Sequence, residues 1–245
     1  MINRRLRTAY YTSMAVPLRV SGWVYRNFMA PRQGVVKVQL GPGRRNYFPG
    51  WINVDGNFAT AKLDVWANLH NKLPFPNNSV DVFYSHHVIE HLPDVFLQLH
   101  FCEMFRCLKP NGIIRVGGPN GDSAARKLIE GDAAWFSDFP VKRESVGGRY
   151  ANYLMCKGEH LTILTLSYLT ELANTAGFVD VRQCQPTVET FHSNLVDSTV
   201  FSHEHESTPA MPHTLIVEAV KPGAAAGPGA GVGSAISMNG TVRKG

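Results

Sequence analysis

Residues 40–55 read LGPGRRNYFPGWINVD, and the spacing of the polar groups within them decides between the dinucleotide folds and their relatives. Val35 to Leu40 has the run of apolar residues expected of a buried strand, ending at Gly41-Pro42-Gly43. Trp51 to Val54 is a second short strand that ends at Asp55. Glycine at a strand end lets the backbone approach a ligand closely and turns the N–H groups of a following helix toward an anionic group. Gly-Pro-Gly is also a common turn, so Asp55 is needed to strengthen the reading: a carboxylate at the end of the next strand can accept hydrogen bonds from ribose hydroxyls. A dinucleotide fingerprint requires a third glycine opening a full helix and an acid about 20 residues further on. Here Pro49-Gly50 cuts the connection short and the acid follows Gly43 by only 12 residues, which disfavours NAD and FAD. No Gly-Lys-Ser/Thr follows, which disfavours a P-loop.

Outward from this stretch the chain alternates strands and helices. Asp81 to Tyr84 (DVFY) reads as a strand entered through the turn Pro76-Asn77-Asn78-Ser79. Pro93 can open a helix whose apolar residues Val95, Phe96, Leu99, Met104, Phe105 and Leu108 recur at helical spacing. Lys109-Pro110-Asn111-Gly112 stops it, and Ile113 to Val116 returns as a strand, one crossover unit of a parallel sheet. Leu164 to Ala176 is a second amphipathic helix closed by Gly177, Phe178 to Cys184 a strand behind it, and Thr214 to Val220 the last strand. Gly118 to Glu159 and Gln185 to Pro212 show little periodicity and read as walls or lids.

A chain of 245 residues with 44% hydrophobic and 18% charged residues suits one sizeable folded domain. We divide it into a basic aromatic N-terminal segment (1–33), an α/β domain (34–221) and a Gly/Ala-rich tail (222–245) expected to be disordered. From Met1 to Val54 there are nine Lys and Arg and no Asp or Glu. Arg4, Arg5, Arg7, Arg19 and Arg26 are interleaved there with Tyr10, Tyr11, Trp23, Tyr25 and Phe28. Three readings stay open: a solvated helix packed on the domain edge or over the active site, contact with an anionic membrane surface or acidic partner, or contact with nucleic acid. Cys102, Cys107, Cys156 and Cys184 contain no C-x-x-C pair and no signal peptide is evident, so reduced thiols in a cytoplasmic protein are expected. No run reaches the ~18–20 apolar residues that would cross a bilayer, so membrane contact is expected to be peripheral, at the inner face.

Three stretches in order, LGPGRRNYFPGWINVD (40–55), KLPFPNNSVDVFYSHHVIEHL (72–92) and FRCLKPNGIIRVGGPN (105–120), resemble the class I S-adenosylmethionine-dependent methyltransferases of the Methyltransferase-11 type. LTILTLSYLTELANTAGFVDV (161–181) is similar to the later part of that fold. The resemblance does not extend to the N-terminal segment, the two long aperiodic stretches or the tail. It implies a Rossmann-like α/β fold with a mostly parallel seven-stranded sheet and helices on both faces, and S-adenosyl-L-methionine as cofactor. Carried over position by position, it places Leu40, Gly41 and Gly43 against the methionine part of the cofactor and Asp55 on the ribose. Asn68 and Leu69 fall beside the adenine, where relatives often have Asp-Leu, and Ser85 and His86 fall along the methionine and sulfonium edge.

Methyl transfer needs in-line approach of a nucleophile to an activated methyl group, and a base only where the acceptor is a hydroxyl. His87 and His91 are spaced i, i+4 and would share a face if their segment is helical. His160, before the late helix, is a third candidate for a catalytic or substrate role. Each could instead be structural. His203 and His205 beside Glu204 and His192 have irregular spacing in a polar stretch, and no metal is expected. The expected acceptor is a small molecule, sugar or glycolipid, at a hydroxyl. Nucleic-acid methylation is disfavoured because Ser85-His86-His87 stands where a base-methylating Asn/Asp-Pro-Pro-Tyr/Phe motif would be. The alternative is a catalytically inactive scaffold that kept the fold.

Overall fold

The computed structural model describes residues 4–223; residues 1–3 and 224–245, the latter holding nearly all of the tail expected to be disordered, lie outside the described residues. Seven strands, β1 (Lys37–Leu40), β2 (Ile52–Asp55), β3 (Val65–Trp66), β4 (Val80–His86), β5 (Leu108–Pro119), β6 (Val179–Cys184) and β7 (Thr214–Val220), form one sheet. Their order is β3-β2-β1-β4-β5-β7-β6. All neighbouring pairs are parallel except those made by β7, which is antiparallel to both β5 and β6. Chain order reverses between β1 and β4, and in open α/β sheets the crevice beyond the carboxyl ends of such a strand pair is where ligands bind.

Seven α-helices accompany the sheet among the described residues: α1 (Arg4–Ser13), α2 (Ala15–Val24), α3 (Asp94–Cys107), α4 (Gly121–Glu130), α5 (Val146–Met155), α6 (Leu166–Ala176) and α7 (Ser198–Phe201). The main core lies on one face, where Leu97, Phe101 and Met104 of α3 and Leu169, Leu172 and Ala173 of α6 close over Val38, Leu40, Phe83, Ile114 and Val116. Gly177 ends α6 in the left-handed conformation, as its sequence position requires. α2 belongs to the same body: Leu18 is buried, and a side chain at Gly22 would touch Ala67 and Pro74.

The other face is closed by α7 and by loop residues. Phe48 and Trp51, from the short β1–β2 connection, pack with Val82, Tyr84, Ile113, Val196 and Val200. Beneath them a row of polar side chains crosses the sheet in register, Asn53 to Gln39 to Tyr84 to Arg115 to Glu218. Arg115 is fully buried and donates to both oxygens of Glu204 at 2.7 and 2.8 Å and to Glu218 at 2.6 Å. The same two carboxylates accept from the backbone N–H groups of Thr187 and Phe191. The 185–212 segment is therefore a fixed cover for this face, held by a buried ion triad rather than by apolar periodicity.

Two expectations need correction. The stretch 118–159 is not a plain loop; it contains α4 and α5, which enclose a small core of their own made by Ala124, Trp135, Phe136 and Leu154. Gly147 and Gly148 at the start of α5 interrupt the apolar pattern that would have announced it; the two helices are capped by Asn120 and Ser145, which accept from the N–H groups of Ser123 and Gly148. No helix follows Gly41-Pro42-Gly43, either. The connection to β2 is a turn, so the N–H groups there are those of an irregular loop.

His100 of α3 has consequences for stability. Its Nδ1 meets the carbonyl of Leu69 at 3.1 Å inside the core, and burial holds the imidazole down to about 4 from its ordinary 6.5, against the raising effect of that hydrogen bond. Between those values the unfolded chain binds a proton that the folded chain does not. Stability is therefore complete above pH 6.5 and falls as the pH drops toward 4, by about 3 kcal/mol from this group alone. Urea denaturation at pH 7 and pH 4.5 should show this loss, and His100→Gln should flatten the dependence; an equal slope in the variant would refute the assignment.

Candidate active site

The crevice between the ends of β1 and β4 is a cleft of about 530 Å³. That lies inside the ~300–1,000 Å³ range of small-molecule sites. Its floor is Gly41, Asp55 and Gly56 at the ends of β1 and β2, its far wall Asn68, Leu69 and His70, and its near wall His87, Val88, His91, Leu92 and Leu161. Thr8, Tyr11 and Thr12 of α1 close it from above. α1 is fixed there because the Tyr10 hydroxyl donates to the Gly56 carbonyl at 3.0 Å, which also accepts from the Trp66 indole at 3.0 Å. The Tyr11 ring stacks on His70, and His70 on Phe96. The N-terminal segment thus packs over the cleft, one of the arrangements its composition left open.

Gly41 has φ +68°, and a Cβ there would lie 2.5 Å from the Val88 side chain. Only glycine permits both the turn and the close approach of the β1 end to the β4 end. The Asp55 carboxylate accepts from the N–H of Gly43 at 3.3 Å and of Asn57 at 2.9 Å. Burial raises its pKa above the ordinary value while these backbone donors oppose the rise. The Asn68 side-chain oxygen accepts the His70 N–H at 3.0 Å, which holds the loop beside the cleft.

The near wall is organised by Glu90. Its side chain is fully buried, and Oε1 accepts from His87 Nδ1 at 3.1 Å and lies 3.9 Å from His91 Nε2. Burial alone would raise this carboxyl, but the His87 hydrogen bond and the positive potential of His87 and His91 hold it below its ordinary range. The rings of His91 and His160 meet edge to face at 5.0 Å.

Of the residues singled out from sequence, the structure brings Gly41, Asp55, Asn68, Leu69, His87 and His91 to one cleft. Gly43 stands just behind, touching Asp55. Leu40 is in the core, and Ser85 is fully buried at the end of β4. His86 points away from the cleft and stacks on Tyr84, because side chains two apart on a strand share a face. Burial and the neighbouring His87 and Arg115 hold its pKa well below the ordinary value. His160 lies behind His91 rather than on the wall. The shared helical face expected of His87 and His91 does not exist: His87 has φ +54° and only Ile89–His91 makes a 3-10 turn. Both reach the cleft because the backbone wraps around Glu90. Glu204 is consumed by Arg115, so the grouping with His203 and His205 offers no metal site. Sequence reasoning missed Thr8, Tyr11, Thr12, His70 and Leu161, which belong to no motif and arrive only through packing.

Residues 52–116, from β2 into β5, match the model of the family described as a methyltransferase domain. The sheet order with its antiparallel β7 and the cleft at the strand-order reversal are those of the Rossmann-like class I methyltransferase fold. Over residues 52–116, about a quarter of its length, the chain resembles the S-adenosylmethionine-dependent methyltransferases of the Methyltransferase-11 type. Among solved structures, a SAM-dependent methyltransferase from Archaeoglobus fulgidus is 17% identical, with 89% of this chain and 95% of that one aligned at a TM-score of 0.49. Phosphoethanolamine N-methyltransferase 2 of Haemonchus contortus, in complex with S-adenosyl-L-methionine, is 15% identical over 87% of this chain and 60% of that one, at 0.48. An S-adenosylmethionine-dependent methyltransferase from Mesorhizobium loti is 18% identical over 85% and 97%, at 0.43. No curated protein sequence matches the chain.

Proposed function

We propose that the cleft holds S-adenosylmethionine along its floor and far wall and that the acceptor is a small molecule, sugar or glycolipid methylated at a hydroxyl. The cofactor, when bound, supplies an activated methyl group. Asp55 would accept the ribose hydroxyls, the Gly41 turn would admit the methionine part, and Asn68 and Leu69 would border the adenine. The observation that carries the hydroxyl reading is the pair His87 and Glu90. With its Nδ1 proton held by a buried carboxylate, His87 presents the lone pair of Nε2, the form that can take a proton from a hydroxyl as it is methylated.

The acceptor's physical form is suggested by α2 and the turn after it. Val16, Val20, Trp23, Phe28 and Met29 are exposed there, close to Arg19 and Arg26. A groove of about 530 Å³ lined by Leu18, Arg19, Trp23, Arg26, Asn68 and Lys72 runs beside the cleft and shares Asn68 with it. Apolar and cationic groups mixed in this way suit the headgroup region of an anionic membrane and a lipid-linked acceptor. No helix among the described residues is long and apolar enough to cross a membrane. On those exposed apolar and cationic groups we infer a cytoplasmic enzyme in peripheral contact with the inner face of the membrane.

Incubation with methyl-labelled cofactor and fractionated host extract, followed by mass spectrometry, tests the acceptor class. Label in a hydroxyl-derived ether of a lipid or sugar fraction is expected; label confined to nitrogen or to nucleic acid would overturn the reading. No calorimetric binding of S-adenosylmethionine at millimolar concentration would instead favour an inactive scaffold. Asp55→Ala should weaken cofactor binding by about 1–3 kcal/mol through lost ribose hydrogen bonds. Unchanged affinity in that titration would refute the placement.

A further inference from the structure

We propose that Glu90, His91 and His160 form a binding site for one divalent transition-metal ion at the near wall of the cleft. One ligand-type atom from each residue lies within 4.8 Å of the other two. The Nδ1 of His91 meets the Glu159 carbonyl at 2.9 Å, and the Nδ1 of His160 meets the Leu154 carbonyl at 2.8 Å. A carbonyl only accepts, so both Nδ1 atoms carry the proton, and in the neutral rings the Nε2 atoms carry the lone pair. Glu90 Oε2 is buried and has no hydrogen-bond partner among the described residues. Two imidazole lone pairs and a carboxylate are therefore gathered with no donor provided for Oε2. A buried acceptor left unpaired is costly, and a cation satisfies all three groups at once.

The surroundings have the form of a ligand shell. Backbone carbonyls fixing the tautomer and ring orientation of both histidines are the usual outer partners of metal-bound imidazole. The segment that carries His160 is held against Glu90 by the Leu161 N–H, which donates to the Glu90 carbonyl at 2.7 Å. Gly118 leaves room beside Glu90 Oε2, where a side chain would come within 3.0 Å. Two imidazoles and one carboxylate suit Zn²⁺, Co²⁺, Mn²⁺ or Fe²⁺ better than Mg²⁺ or Ca²⁺, which favour all-oxygen sets. Three protein ligands leave coordination positions open, and His91 stands on the cleft wall. An acceptor oxygen bound there would be held next to His87, a role that rests on the methyl-transfer reading above; the metal site itself does not.

The test uses the full chain, stripped with chelator and titrated with Co²⁺ while visible absorption is followed. One saturable equivalent with ligand-field bands is expected, displaced by Zn²⁺. His91→Gln and His160→Gln should each weaken binding more than about tenfold while circular dichroism stays native. No saturable binding to the folded wild type, or unchanged binding in both variants, would overturn the site. If a variant fails to fold, X-ray absorption of the wild-type Zn²⁺ complex decides: imidazole nitrogen in the shell supports the site, an oxygen-only shell overturns it. A parallel titration with S-adenosylhomocysteine in chelator separates the two readings. Metal binding without cofactor binding would refute the cofactor cleft and keep the metal site, and the reverse would refute the metal site alone.

Discussion

Replacing His87 by alanine is expected to lower kcat by about 100- to 10,000-fold, the range that a positioned general base contributes. The side chain is 45% exposed and stands on the near wall, whereas Asp55, Gly41 and Asn68, the groups assigned to the cofactor, stand on the floor and far wall. Cofactor affinity should therefore stay within a few-fold of wild type. Folding stability should fall by about 1–3 kcal/mol, because the substitution leaves the buried Glu90 Oε1 without its donor. Loss of an exposed imidazole opens no core cavity, so the variant stays folded. His87→Gln restores bulk and a donor to Glu90 without a basic nitrogen, so it should be as slow as alanine. The measurement is single-turnover methyl transfer to the acceptor identified by labelling, alongside calorimetry with S-adenosylhomocysteine. A kcat within about threefold of wild type would remove His87 as the base.

Arg115→Met should cost about 3–5 kcal/mol of folding stability, because it leaves Glu204 and Glu218 buried without their cation. The effect is large because Arg115 joins three parts of the structure: β5, β7 and the 185–212 cover. In a domain of this size the melting temperature should fall by on the order of 10 °C. Adding Glu204→Gln and Glu218→Gln to the same chain should recover much of the loss, since the uncompensated charges rather than the missing contact dominate it. Equal instability of the single and triple variants in urea denaturation would show that lost packing dominates instead.

The central strands were legible from their apolar centres, and Thr214–Val220 coincides with the reading from sequence, but β5 runs from Leu108 to Pro119, through the Lys109–Gly112 stretch that was read as a stop before the strand. α6 was legible because its buried residues recur at helical spacing and it ends at Gly177, whereas α3 was found as a helix but with its face partly misread: Val95 and Leu99 are exposed, and Leu97, Phe101 and Met104 face the core. β3, two residues long, has too little pattern to be found. α5 was hidden by its glycines and stands on the small Trp135–Phe136 core, which exists only once the chain has folded back.

The Gly41–Asp55 side of the cleft was readable for a local reason. Gly41 and Asp55 sit at the ends of consecutive strands, so a dozen residues determine their relation, and the positive φ at Gly41 is a requirement that a single residue type meets. The His87–His91 side was readable only as a set of candidates. His87, Glu90 and His91 are close in sequence, yet a non-helical backbone at His87 decides which way each points, and His160 and α1 arrive from 69 residues downstream and from the N-terminus. Composition and spacing by themselves determined an α/β chain with a glycine turn and an acid at the next strand end, in a spacing that disfavours NAD and FAD, while S-adenosylmethionine entered through the resemblance. Tertiary structure alone decided that His86 faces away, that Glu90 is the buried centre of the near wall and that the N-terminal helix is the roof, because long-range packing sets which face a side chain presents.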